Sequence, residues 1–146
     1  MVCLGNICRS PLAEGILKSK VNNTKVYVDS AGTSATHQGE LPDPRSIEVA
    51  QKHGIDITDQ RSRPFSKEDF SKFDLIYVMD QSNLNNVLHL SSTTEDKSKV
   101  KLIMDELLPN EGQEVPDPYY GGEQGFENVY QMLDKACEKI RLKIGD

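Results

Sequence analysis

Leu75-Ile76-Tyr77-Val78-Met79 is an unbroken apolar run that offers no side to water, so a strand formed there has to be covered on both faces. That requirement rules out a sheet with one wet face and asks for helical layers above and below. The rest of the chain supplies them. From Pro11, the residues Leu12, Ala13, Ile16, Leu17 and Val21 recur at helical spacing and stop among Asn22 and Asn23. Asp43-Pro44 reads as an N-cap and first helical residue, and His53-Gly54 as the stop, for a helix carrying Ile47, Val49 and Ala50. Asp80-Gln81-Ser82-Asn83 can cap a helix through Leu84, Val87 and Leu88. The last helix carries Phe126, Val129, Tyr130, Leu133, Ala136, Cys137, Ile140 and Ile144 on one stripe. Between these helices, Val26-Tyr27-Val28 reads as a short strand that stops at Asp29-Ser30-Ala31-Gly32. Val100, Leu102 and Met104 alternate with Lys99 and Lys101 as a half-exposed edge strand. Strands alternating with helices predict an α/β fold, a doubly wound four-stranded parallel sheet with helices on both faces. Ligands in such sheets bind beyond the carboxyl ends of the strands, so the loops after Val2, Val28 and Met79 are candidate site walls.

A chain of 146 residues is long enough for one domain with its own core, and a single domain over residues 1–146 is expected. No apolar stretch reaches bilayer-crossing length, which argues against a membrane partner. No basic and apolar leader pattern opens the sequence, and three cysteines are too few, and odd in number, for a disulfide framework. A cytoplasmic setting that keeps them as thiols is expected. A net charge of −6 without a Lys/Arg cluster argues against nucleic acid as a partner, so any anion site has to be built locally. Lys18, Lys20 and Lys25 read as a solvated face, His37 and His89 as surface residues, and His53, before a helix-stopping glycine, as structural. No Cys/His/carboxylate cluster has ligand spacing, so neither a metal nor another cofactor is expected.

The chemistry lies in Cys3-Leu4-Gly5-Asn6-Ile7-Cys8-Arg9-Ser10-Pro11, where five residues separate a cysteine from an arginine and a helix follows. A loop wrapped over a helix N-terminus points backbone N–H groups inward, and the helix dipole adds positive potential, so a phosphoryl dianion fits there. Gly5 and Asn6 tolerate the left-handed backbone angles that a tight wrap needs. The same field favours a thiolate at Cys3, with the Arg9 guanidinium adding to it. Arg9 can hold two phosphate oxygens through parallel hydrogen bonds and match the equatorial oxygens of an in-line transition state. Spacing alone leaves Cys3 open to a second reading, a small buried residue at a strand end. Cys137, on the apolar stripe of the last helix, is most simply a core residue.

Val2 to Pro11 resembles the phosphate-binding loop of the low-molecular-weight protein tyrosine phosphatases almost residue for residue. The resemblance continues through Asp29-Ser30-Ala31-Gly32, Pro42-Asp43-Pro44-Arg45, His53-Gly54-Ile55, Lys67-Glu68-Asp69-Phe70, Phe73-Asp74, Met79-Asp80-Gln81-Ser82-Asn83 and Asp117-Pro118-Tyr119-Tyr120, in the family's order and across most of the chain. It implies hydrolysis of phosphotyrosine monoesters in proteins or peptides, without a cofactor. Carried onto matching positions, it makes Cys3 the nucleophile that forms a phosphocysteine, and Arg9 the phosphate clamp within a cradle formed by Leu4, Gly5, Asn6, Ile7, Cys8, Arg9 and Ser10. Ser10 becomes the hydroxyl bonded to the sulfur, Asn6 the residue that fixes the turn, and Ser30 its partner. Asp117 becomes the general acid and then the base, since expelling a phenolate needs a proton. Tyr119 and Tyr120 resemble the family's aromatic wall, and Cys8 the partner of a protective disulfide formed with Cys3 under oxidants.

Two departures stand out. Relatives place about five further residues ahead of Val2, forming a central strand, which leads to the expectation that the first strand is truncated here and that residues precede Met1 in the native chain. A mature mass near 16.3 kDa would contradict that. Thr36 stands where relatives often place an aromatic residue at the entrance, and a smaller wall is expected to hold an aryl ring less firmly. Three other readings compete. An arsenate reductase of the same fold would need further cysteines in mid-chain, and the stretch from Asp80 to Asn110 has none. A phosphoarginine phosphatase would carry threonine in place of Ile7 and lack the double tyrosine. An inactive phosphate-binding module would not need Cys3, Arg9 and Asp117 together.

Overall fold

The computed structural model describes residues 1–145, apart from the side chain of Tyr120. Strand β1 (Val2–Cys3) leads through the cysteine-rich loop into helix α1 (Arg9–Lys20). Then follow β2 (Ala31–Gly32), α2 (Pro44–Lys52), the short α3 (Asp69–Lys72), β3 (Ile76–Val78), α4 (Gln81–His89), α5 (Thr94–Ser98) and β4 (Val100–Leu102). Two 3-10 turns, Ile103–Glu106 and Pro118–Tyr120, precede the long α6 (Gly122–Ile144). The sheet has four strands in the order β2-β1-β3-β4, all parallel, with Val2 opposite both Ala31 and Val78. The anticipated doubly wound α/β sheet is therefore the observed one.

Alternation along the strands divides the apolar residues between two faces. Ile76 and Val78 join Val2, Phe65, Phe70, Val87 and Leu102 on one side. Tyr77 and Met79 join Cys3, Leu12, Ile16, Val49, Val129 and Leu133 on the other. Each of the fully buried aliphatic side chains in these layers contributes about 1.5–3 kcal/mol. Helices α1 and α6 pack against each other in the same core layer: Leu12 and Ala13 are completely buried, and the Cys137 thiol of α6 donates to the Ala13 carbonyl at 3.7 Å. Burial pushes that thiol up to about 12, as suits a core residue. Among the described residues no helix is long and apolar enough to cross a membrane.

Local signals set the helix ends. Asp43 caps α2 by accepting from Arg45 N–H at 2.8 Å, and Pro44 occupies the first position, where no N–H is required. Asp80 caps α4 by accepting from Asn83 N–H at 2.9 Å. His53 closes α2, stacks on Tyr130 with ring centroids 3.8 Å apart, and meets Glu127 at 3.1 Å, a structural position as its sequence context suggested.

Three expectations need correction. The strand is not at Val26-Tyr27-Val28 but at Ala31–Gly32, because pairing with β1 opens at the bond from Ala31 N–H to the Met1 carbonyl, while Tyr27 stays exposed. Met104 lies in a 3-10 turn after β4 rather than in the strand, packed into the core. Lys18 and Lys20 do not form a solvated face: Lys18 pairs with the buried Glu14 at 2.5 Å, and Lys20 ties α1 to Asp134 of α6 at 3.0 Å.

Candidate active site

The loop from Cys3 to Cys8 lies at the carboxyl end of the central strand, and its carbonyls are held from outside. Thr33 N–H donates to the Cys3 carbonyl at 2.9 Å, Ser34 N–H to Leu4 at 2.9 Å, Ser62 Oγ to Gly5 at 3.0 Å and Asp43 N–H to Ile7 at 2.7 Å. With the carbonyls turned outward, the peptide N–H groups are left for the concave side. One is seen there: Asn6 N–H donates to Cys3 Sγ at 3.3 Å. Asn6 carries the left-handed angle that the turn needs, with φ 57°, whereas Gly5 does not. Gly5 is small for a different reason, since a Cβ there would lie 3.0 Å from the ring of His37. His37, expected at the surface, is therefore half-buried against the loop. Gly32 permits the close approach of β2, because a Cβ on it would meet the Leu4 carbonyl at 2.8 Å.

Cys3 and Ser10 are brought together, with Sγ and Oγ 3.1 Å apart. Asn6 Nδ2 donates to Ser10 Oγ at 2.7 Å and to Ser30 Oγ at 2.9 Å, so the four polar residues of the loop and its support form one buried cluster. Arg9, 3% exposed, opens α1 and is aimed by two acceptors on its Nη1, Asp80 Oδ2 at 2.7 Å and the Val115 carbonyl at 2.9 Å. Among the described residues the protein engages only Nη1, which leaves the rest of the guanidinium fork for an anion.

Asp117 reaches the loop through the same tether. Val115 is completely buried, accepts from Arg9, and donates its N–H to the Met79 carbonyl at 2.9 Å, fixing the chain two residues before the acid. Asp117 is exposed and caps the following 3-10 turn by accepting from Tyr119 N–H at 3.0 Å. Its charge is felt at Cys8, whose thiol is pushed up to about 12, by burial first and then by the Asp43, Cys3 and Asp117 charges. Cys8 stays protonated at neutral pH.

A model of the family described as low molecular weight phosphotyrosine protein phosphatase matches this chain over residues 1–145. The chain belongs to that family. A low molecular weight phosphotyrosine protein phosphatase of Schizosaccharomyces pombe is 42% identical, the alignment covering 91% of this chain and 88% of that one. The crystal structure of a protein tyrosine phosphatase from Entamoeba histolytica, with Hepes in its active site, superposes with a TM-score of 0.89 at 41% identity, covering 98% and 93% of the two chains. The structure of a Drosophila arginine phosphatase superposes with a TM-score of 0.88 at 34% identity, covering 99% and 96%.

Around the phosphatase loop, Leu4 and Tyr119 expose about half their surface, and Thr36 is exposed beside Ser34, whose Oγ lies 2.7 Å from its own. The side chain of Tyr120 lies outside the described residues. The segment carrying Tyr119 is held by Arg45, whose guanidinium lies 5.0 Å from the Tyr119 ring centre and 4.7 Å from that of Phe126. Arg45 is itself gripped by Asp43; burial raises the Asp43 carboxyl, but the Arg45 bonds and charge outweigh this and hold it below the usual range.

Sequence reasoning passed over Asp80, Arg45 and Glu14 as site residues. Asp80 carried a readable signal, a carboxylate directly after the most buried strand. Glu14 carried another, a charge set within the apolar run of α1. Arg45 offered none for its contacts with Tyr119 and Phe126, which are distant in sequence; only its pairing with Asp43 is local. A cavity of about 390 Å³ lined by Val28, Phe73, Leu75 and Ile144 is not the site; neither Cys3, Arg9 nor Asp117 lines it.

Proposed function

We propose that this phosphatase hydrolyses phosphotyrosine monoesters of proteins or peptides by two in-line displacements at phosphorus. In the first, the Cys3 thiolate attacks, an S–P bond forms, and the P–O bond to the tyrosyl oxygen breaks as Asp117 gives that oxygen its proton. Arg9 and the loop amides of residues 4–10 hold the equatorial oxygens, whose charge they match best in the transition state. In the second, Asp117 as carboxylate takes a proton from water, the oxygen bonds to phosphorus, and the S–P bond breaks to return the thiolate and release inorganic phosphate.

The observation that supports this most is the setting of the Cys3 sulfur, with Ser10 Oγ at 3.1 Å and the Asn6 N–H at 3.3 Å, inside a loop whose carbonyls face outward. Membership of the family implies phosphorylated substrates; the exposed faces of Leu4 and Tyr119 favour an aromatic ester among them. Steady-state turnover of p-nitrophenyl phosphate without added metal, beside Cys3→Ser and Asp117→Ala, tests the scheme. Loss of activity in the first and a drop of about a hundredfold in the second are expected; turnover in Cys3→Ser removes the nucleophile assignment. Preference for phosphoarginine over phosphotyrosine would reassign the substrate.

The three cysteines are all free thiols, as a cytoplasmic location would keep them. Under peroxide, Cys3 oxidised to a sulfenic acid condenses with the Cys8 thiol, forming a disulfide and releasing water. Inactivation that dithiothreitol reverses supports this protective role, and inactivation that it cannot reverse overturns it.

A further inference from the structure

Beneath the phosphate loop a chain of buried polar side chains leads from α1 to the nucleophile. Glu14 Oε1 accepts from Ser30 Oγ at 2.6 Å, Ser30 Oγ accepts from Asn6 Nδ2 at 2.9 Å, Asn6 Nδ2 also donates to Ser10 Oγ at 2.7 Å, and Ser10 Oγ lies 3.1 Å from Cys3 Sγ. Glu14, Ser30, Asn6 and Ser10 are each at most 5% exposed. The ends of the chain settle its direction. A carboxylate only accepts, so the Ser30 hydrogen points at Glu14 and the lone pairs of Ser30 face Asn6. Asn6 Oδ1 is occupied by the Arg63 N–H at 3.0 Å, so the amide does not turn over, and its two hydrogens go to Ser30 and Ser10. Ser10, accepting from Asn6, has its own hydrogen left, and the sulfur is a closer acceptor than the Ala31 carbonyl at 3.5 Å.

A buried carboxylate is expensive unless something holds it there. Lys18, one helical turn on, supplies the counter-charge at 2.5 Å. Burial pulls the Lys18 ammonium down, but the hydrogen bond and charge of Glu14, with Asp59 and Asp29, more than offset this and leave it raised. The other charges facing this cluster are Asp29 and the Met1 amine at the strand ends and Arg63 in the loop before α3, while the Cys3 sulfur is faced by the Met1 amine and by Cys8.

We propose that Glu14 is a positioning residue for the reaction: by accepting from Ser30 it leaves the Ser30 lone pairs to Asn6 and, together with the Arg63 N–H on Asn6 Oδ1, holds the Ser30–Asn6–Ser10 relay in the sense in which Ser10 donates its hydrogen to the Cys3 sulfur and favours the thiolate. The proposal deepens the functional reading above and rests on Cys3 being the nucleophile. Glu14→Gln keeps the shape but not the sense. Lys18 only donates, so the new amide turns its oxygen to Lys18 and its NH2 to Ser30, and the Ser30 hydrogen loses its acceptor.

The test follows alkylation of Cys3 by iodoacetamide against pH, read by peptide mass, together with turnover of p-nitrophenyl phosphate. In Glu14→Gln the alkylation midpoint is expected to rise by about one pH unit and kcat to fall about tenfold, with KM changed less than about twofold. Ser30→Ala should give the same shift, and the double variant Glu14→Gln/Ser30→Ala no more than Ser30→Ala alone. An alkylation profile in Glu14→Gln that superposes on the unmodified protein, or additive effects in the double variant, would overturn the relay. A merely structural Glu14 would lower the melting temperature and leave that profile in place. Should Glu14→Gln not fold, Glu14→Asp, which draws the carboxylate back from Ser30 while keeping its charge, carries the same expectation. An inert Cys3→Ser with an unmoved Glu14→Gln profile removes the relay alone; an active Cys3→Ser removes both readings.

Discussion

Arg9 Nη1 meets Asp80 Oδ2 at 2.7 Å, so the first turn of α1 is fastened to the cap of α4 across the central pair of strands. The bond aims a buried cation that would otherwise have only the Val115 carbonyl to hold it. Asp80→Ala leaves that cation short of a partner, and a loss of about 2–4 kcal/mol in urea unfolding is expected. The KM for p-nitrophenyl phosphate should rise about tenfold as the guanidinium fork loses its alignment. Asp80→Asn, which keeps an acceptor but not the charge, should fall between.

Arg45 braces the segment that carries Asp117, the proposed general acid. It spans the Tyr119 and Phe126 rings and donates to the Tyr119 carbonyl at 3.4 Å. Arg45→Ala should therefore slow esters whose leaving group needs a proton and spare those that do not. A fall in kcat of about fivefold or more for phenyl phosphate, with little change for 2,4-dinitrophenyl phosphate, is the expected pattern; equal losses on both would separate Arg45 from Asp117.

Thr36 is exposed beside Ser34, whose N–H is bonded to the Leu4 carbonyl of the loop, and its expected place is in the substrate wall. Thr36→Tyr or Thr36→Trp should lower KM for aryl phosphates about threefold or more by closing on the ring. An unaltered KM measured on phosphotyrosine peptides would show that Thr36 is not part of the wall.

Two thiols set an alkaline limit on stability. Cys8 and Cys137 are each pushed up to about 12 from the ordinary 9.0, mainly by burial. Between those values the unfolded chain releases protons that the folded chain keeps, so the stability present below pH 9 is lost as pH rises towards 12. The slope is about 1.4 kcal/mol per pH unit for each thiol. Cys137→Ala should unfold more easily at pH 7 but lose stability less steeply above pH 9 in denaturant titrations; a slope unchanged by the substitution would locate the limit elsewhere.

Much of this architecture was readable in the chain because its signals are local. The apolar run around Tyr77 demanded a strand covered on both faces, Asp43-Pro44 and Asp80 announced helix starts, and Cys3 to Pro11 announced a tight loop running into a helix. What escaped reading depends on contacts between distant segments. β2 sits at Ala31 rather than Tyr27 because its register is fixed by Met1, a partner that β-propensity cannot name. Lys18 looked solvated until its partner, Glu14, proved to be buried beneath Ser30. Gly5 and His37 are mutually explained only once the loop after β2 folds over the cradle. Asp80 and Arg45 each act on a residue far away in sequence, and no spacing rule connects them.

The claim on which the rest depends is that phosphate passes through the sulfur of Cys3. Rapid acid quench of turnover with a phosphorus-labelled aryl phosphate, followed by peptide mapping, measures it directly. Label on the peptide that contains Cys3, formed and lost at rates that match turnover, is the predicted result. Label on any other residue, or turnover with no labelled peptide, would contradict the account.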